Sequence, residues 1–122
     1  MSEELNHIAD MMFEISGKNT KEILEDFFDS LNKIFKPLVG GLESEYNCYI
    51  NQKDIDDIIF DIGNYSLNKI KENQFPSKVD VEKDQIKVYY SKIIELRNNV
   101  EIKGVVYPKV LNKEKLRVIF DV

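Results

Sequence analysis

An α+β fold is what this sequence predicts, and three features carry the prediction. Residues 51–73 hold Ile55, Ile58, Ile59, Ile62 and Ile70 at the three-and-four spacing of a helix buried on one side. A wider, aromatic-rich stripe of the same period runs from Leu24 to Leu38. Leu116, Val118, Phe120 and Val122 alternate with Arg117, Ile119 and Asp121, the period of a half-buried strand. The expected architecture is two N-terminal helices and a central helix packed on a small antiparallel sheet with a C-terminal β-hairpin, in the order α-α-β-α-α-β-β.

Taken in order, Ser2 can cap a first helix, with Glu3 and Glu4 at the positive end of its dipole and Leu5, Ile8, Met12 and Ile15 as its stripe; Gly17 stops it. Asn19 and Glu22 are spaced like a capping box and open the second helix. Its stripe of Leu24, Phe27, Phe28, Leu31, Ile34, Phe35 and Leu38 is broad enough to lie across a sheet or between two neighbours. Pro37, Gly40 and Gly41 then predict a helix stop and a flexible turn.

Tyr46, Cys48 and Ile50 alternate as a strand that places Cys48 inward. The central helix follows, stopping before Phe75-Pro76. Residues 77–99 fit two templates: Ile86, Tyr89, Tyr90, Ile93 and Leu96 a helix, Ile86, Val88 and Tyr90 a strand. Length, the acidic start from Asp80 to Asp84 and the lack of turn residues between Asp84 and Arg97 favour helix. Val100, Ile102 and Val105 to Val110 then read as a strand, with Pro108 marking an edge and residues 112–115 a polar turn into the last strand.

The chain of 122 residues is long enough for one core and is expected to form a single domain, 1–122. Its 43% hydrophobic and 32% charged residues, with five Gly and three Pro, exclude collagen-like and disordered classes. Cys48 is the sole cysteine, which excludes an intramolecular disulfide and a multi-thiolate zinc site. The absence of a membrane-length apolar run and the acidic start point to a cytoplasmic protein without a membrane segment.

The net charge of −5 is unevenly placed: Met1 to Asp61 carry 14 acids and 5 bases, Ile62 to Val122 carry 8 acids and 12 bases. An acidic chain gains no general attraction for phosphate, so nucleic acid is a disfavoured partner. A protein with a basic surface suits it better.

Three groups of residues could carry chemistry. Asp54, Asp57 and Asp61 lie opposite the isoleucines and could approach a Mg²⁺ ion, but a dipole-stabilised, solvated helix face is the stronger account of them. Together with Glu22, Glu25, Asp26 and Asp29 they form two acidic ridges, which predict a partner-binding face. Lys87, Tyr89, Tyr90, Lys92, Arg97, Lys103, Tyr107, Lys109, Lys113, Lys115 and Arg117 interleave cations with aromatics, a pattern that can hold single-stranded nucleic acid but also describes ordinary core and rim residues. The lone His7 has no second histidine to share a metal, and Cys48 has no nearby cation or histidine in sequence to make it a thiolate.

The expectation from sequence is therefore a small acidic cytoplasmic protein, not an enzyme and without metal or cofactor. It would bind another protein through an acidic helical face, as an inhibitor, an immunity or antitoxin-type partner, or an adaptor. The alternatives are a nucleic-acid accessory using the basic C-terminal half and a structural subunit of a homo-oligomer.

Overall fold

The computed structural model describes residues 10–51 and 53–122. These form two helices and six strands: β1 (Met11–Ser16), α1 (Thr20–Phe35), β2 (Pro37–Tyr49), α2 (Ile55–Lys71), β3 (Gln74–Glu82), β4 (Gln85–Leu96), β5 (Gly104–Asn112) and β6 (Lys115–Asp121). The strands make two antiparallel three-stranded sheets, in the orders β1-β6-β5 and β2-β4-β3. The single small sheet and the helical order α-α-β-α-α-β-β are thus corrected.

The first correction falls at the start. Ser2, Leu5 and Ile8 of the expected first helix lie outside the described residues, but Met12 and Ile15 stand on β1. Their three-residue spacing puts them on one side of a helix and on opposite sides of a strand. Ile15 is 1% exposed and Met12 61%, as the strand requires.

The second correction is the glycine pair. Helix α1 ends at Phe35, where Lys36 takes left-handed dihedrals and its N–H reaches the Asn32 carbonyl at 2.8 Å. Gly40 and Gly41 do not turn the chain but continue within β2, where the register against β4 shifts three times between Leu38 and Ser44. The third is residues 77–99, read as a helix and found as parts of β3 and β4. The reversal between them uses Lys83 at φ 51°, just ahead of the run taken to lack turn residues. Ile86, Val88 and Tyr90 are all buried on the central strand β4.

Both helices serve both sheets. On α1, Phe27 stacks on Phe120 of β6 at 5.8 Å and Phe35 meets Phe75 of β3 at 6.3 Å, which is why its apolar stripe is so wide. On α2, Tyr65 packs near Tyr90 of β4, while the Asn64 side-chain oxygen accepts from the Val105 N–H of β5 at 3.0 Å. Gly63 lets α2 approach, since a Cβ there would lie 2.8 Å from Phe27 Cζ and 3.0 Å from Val105 Cγ2. One continuous core results, running from Ile15 through both helices to Phe120.

Candidate functional site

The acids on α1 are mostly committed to local structure. Asn19 caps the helix by accepting from the Glu22 N–H at 2.9 Å, and Glu22 accepts in turn from the Lys18 N–H at 2.9 Å. Asp26 accepts from the Ser16 N–H at 2.8 Å, holding the end of β1. Asp29 pairs with Lys33 one turn on at 3.2 Å. Glu25 and Asp29 also border a cleft of about 390 Å³ between α1, β3 and the start of β2, lined by Phe28, Val39, Phe75 and Val79 among others.

The acids on α2 take a different arrangement from the one expected. Asp61 turns to Lys53 at 3.1 Å and leaves the group. Asp56 joins instead: carboxylate oxygens of Asp54, Asp56 and Asp57 lie within 4.8 Å of one another. Asp56 was missed because helical-face spacing was the criterion, whereas at a helix start the cap residue and the first-turn residues crowd around one end of the axis. Three such oxygens could ligate a hard divalent cation, and the helix dipole stabilises them without one.

Asp57 also accepts a hydrogen bond from the Tyr107 hydroxyl of β5. That bond holds the Tyr107 phenol in its neutral form and raises its pKa. Phe60 lies against the same ring at 5.3 Å. The two acidic ridges therefore face different neighbours, α1's toward β1 and β3 and α2's toward β5 and Lys53; no hydrogen bond or ion pair among the described residues joins them.

The basic and aromatic set divides as well. Lys87, Tyr89, Tyr90 and Lys92 belong to one sheet, and Tyr107, Lys109, Lys115 and Arg117 to the other. Tyr90 is fully buried. Lys87 pairs with Glu45 at 3.6 Å, and both Lys115 and Arg117 approach Glu14, at 3.9 and 3.7 Å. Cys48 is partly covered, and burial pushes its thiol pKa up, which disfavours the nucleophilic thiolate.

A second cleft, about 560 Å³, opens at the C-terminal ends of the helices between Phe35, Leu67, Ile70, Leu96 and Val100. Several large apolar side chains are exposed elsewhere, notably Leu42 at 60% and Ile94 at 61% on the paired strands β2 and β4. Ile94 lies beside Gly40, its Cδ1 3.4 Å from where a Cβ would stand, an ordinary contact distance. Among the described residues no helix is long and apolar enough to cross a membrane.

This arrangement has a counterpart among known proteins. No family model matches the chain. It is 27% identical over 126 residues to the protein archease of Thermotoga maritima, covering 99% of both chains. It also superposes on the crystal structure of an archease from Thermotoga maritima, described as a possible chaperone, with a TM-score of 0.84 and 26% identity, covering all of this chain and 98% of the other. The fold is that of archease.

The likeness extends from end to end and overturns the expectation of an inhibitor, an immunity or antitoxin-type partner, or an adaptor working through an acidic helical face. The reason sequence misled is physical. Acids that look alike on a helical wheel are divided here among a cap, a strand end, two ion pairs and a tyrosine.

Proposed function

We propose that this protein is a chaperone of the archease kind, an accessory that engages another macromolecule through its surface. The observation that carries the reading is the end-to-end likeness to the archease described as a possible chaperone, at a TM-score of 0.84. The surface adds support. Leu42 and Ile94 stand in solvent on a folded domain that has ample core to bury them, and exposed apolar residues of this kind suit transient contact with non-native polypeptide. In this reading the protein works in the cytoplasm and has no catalytic centre of its own.

The test is suppression of aggregation. A reporter protein unfolding on heating is followed by light scattering, alone and with increasing amounts of this protein. Stoichiometric suppression, weakened in a Leu42→Lys/Ile94→Lys variant that keeps its fold, is the expected result. Undiminished scattering at about tenfold excess, where even micromolar binding would be saturated, overturns the proposal.

A further inference from the structure

The two sheets differ in what they turn outward. Across β2-β4-β3 one row of outer residues is Glu45, Tyr89 and Lys78 and the next is Asn47, Lys87 and Asp80. Their charges meet within the face: Lys87 lies 3.6 Å from Glu45, and Lys78 4.0 Å from Asp80. Across β1-β6-β5 the register instead sets Met12 beside Ile119 and Ile119 beside Val106. These three point away from the helices, because their sequence neighbours Phe13, Val105, Val118 and Phe120 are on the core side. Met12 is 61% exposed and Val106 45%. A sheet face left in water ordinarily carries polar residues, so an apolar row across all three strands is the composition of a face that becomes covered.

The neighbouring rows select what covers it. Beside the apolar row stand Glu14, Arg117 and Lys109, and beyond them Ser16, Lys115 and Asn112. Three cations thus share one carboxylate. Glu14 lies 3.7 Å from Arg117 and 3.9 Å from Lys115, and its single charge leaves the group positive. Arg117 Nε makes no hydrogen bond, so the guanidinium has donor capacity that Glu14 does not use. On its other side the apolar row is bounded by Asp121, set opposite Gly104. A surplus of positive charge is therefore confined to one flank of the row, in a chain whose net charge is −5.

We propose that this face docks an amphipathic helix of a partner protein, with its apolar stripe on Met12, Ile119 and Val106 and an acidic flank over Arg117, Lys109 and Lys115. A helix is the element that commonly covers an open sheet face, and its stripe needs an apolar surface to be buried against. Three strands about 4.8 Å apart make a row roughly 10 Å long, the length of about two helical turns. Glutamate or aspartate on the flank above the basic rows is attracted, and lysine or arginine there is repelled. Asp121 disfavours the reversed placement, in which the acidic flank would lie over it. This surface is separate from Leu42 and Ile94, which stand on the other sheet, and its occupant is a folded partner, so the inference does not depend on the chaperone reading.

The probe is a stapled helical peptide of about four turns, with a leucine stripe flanked on one side by glutamates and labelled with a fluorophore. Binding is read by anisotropy and by amide shifts of the isotopically labelled protein. The expected result is binding with shifts confined to β1, β6 and β5. Exchanging the peptide's glutamates for lysines is expected to weaken it by at least about tenfold.

Two variants locate the site. Met12→Lys/Val106→Lys, at exposed positions, is expected to lose binding by a similar factor while keeping its urea midpoint. Lys109→Glu/Lys115→Glu is expected to reverse the preference, binding the lysine-flanked peptide better than the glutamate-flanked one. That reversal is a readout that damage to the fold would not produce. No binding, equal binding of the two peptides, an unreversed preference or shifts elsewhere overturn the proposal. Leu42→Lys/Ile94→Lys is expected to bind the peptide as the parent does. Loss of peptide binding in that variant would place the helix on the wrong sheet and overturn the inference, whereas failure to suppress aggregation removes only the chaperone reading.

Discussion

The Ser66 hydroxyl of α2 meets the Tyr90 hydroxyl of β4 at 2.9 Å, and both side chains are fully buried. It is a polar contact across the apolar seam between a helix and the centre of a sheet. Each hydroxyl satisfies the other, so the pair is cheap to keep and costly to halve.

The first prediction concerns that asymmetry. Tyr90→Phe leaves Ser66 buried without this partner and is expected to cost about 1–3 kcal/mol, while the double change Ser66→Ala/Tyr90→Phe recovers part of the loss. Urea unfolding of the parent, both single variants and the double closes the cycle. A double variant as unstable as the sum of the singles would show that the two hydroxyls do not depend on each other.

The same burial sets a pH dependence. Desolvation raises the Tyr90 pKa above its ordinary 10.0, partly opposed by the bond from Ser66. The unfolded chain therefore loses this proton first. Stability from Tyr90 is fully present below pH 10 and is lost as pH climbs from there toward the folded-state value. Tyr46, raised by burial, and Tyr107, raised by its bond to Asp57, act in the same direction. Unfolding midpoints measured from neutral pH to above pH 10 are expected to fall at the alkaline end, and less steeply in Tyr90→Phe. An unchanged slope in that variant would remove Tyr90 from the account.

How much of this fold could be read from sequence depends on whether one local pattern had one solution. Helix α1 could be read because Asn19, Glu22 and the stripe through Phe35 all specify the same element. The strands β5 and β6 could be read because alternation, Pro108 and a polar turn agree. Between Ile86 and Leu96 two periods fit the same residues, and the decision was made by sheet neighbours: β4 lies between β2 and β3, so its buried residues are covered from a distance in sequence. The first strand failed for a similar reason. Its partner β6 is at the other end of the chain, with Ile15 set against Leu116.

The site was less legible than the fold. Acidic residues could be counted, but whether a carboxylate is spent on a cap, an ion pair or a tyrosine is a tertiary matter. Nothing near Asp57 in sequence announces Tyr107. The cleft between α1 and β3 is hidden from sequence for a plainer reason: Phe75 and Pro76 read as a helix stop and residues 77–79 as the start of another helix, whereas all five stand on one strand.

Gly63 carries the last prediction, because two principles assign it opposite signs. Alanine is favoured over glycine inside a helix by about 1 kcal/mol, so propensity alone expects Gly63→Ala to stabilise α2. Packing expects the contrary. The new methyl would sit 2.8 Å from Phe27 Cζ and 3.0 Å from Val105 Cγ2, distances too short to keep, and Phe27 is fully buried against Phe120, so its ring has little freedom to withdraw. Overpacking of this kind costs about 1–3 kcal/mol, enough to cancel the propensity gain and exceed it. The expected outcome is a net loss, seen as a lower urea midpoint with unchanged m-value. Relief should come from Val105→Ala in the same chain, which removes one of the two crowding groups, the Val105 Cγ2 methyl. A stabilised single variant would mean that α2 can shift away from α1 and β5 at little cost, and that the close approach at Gly63 does not hold the two sheets in place.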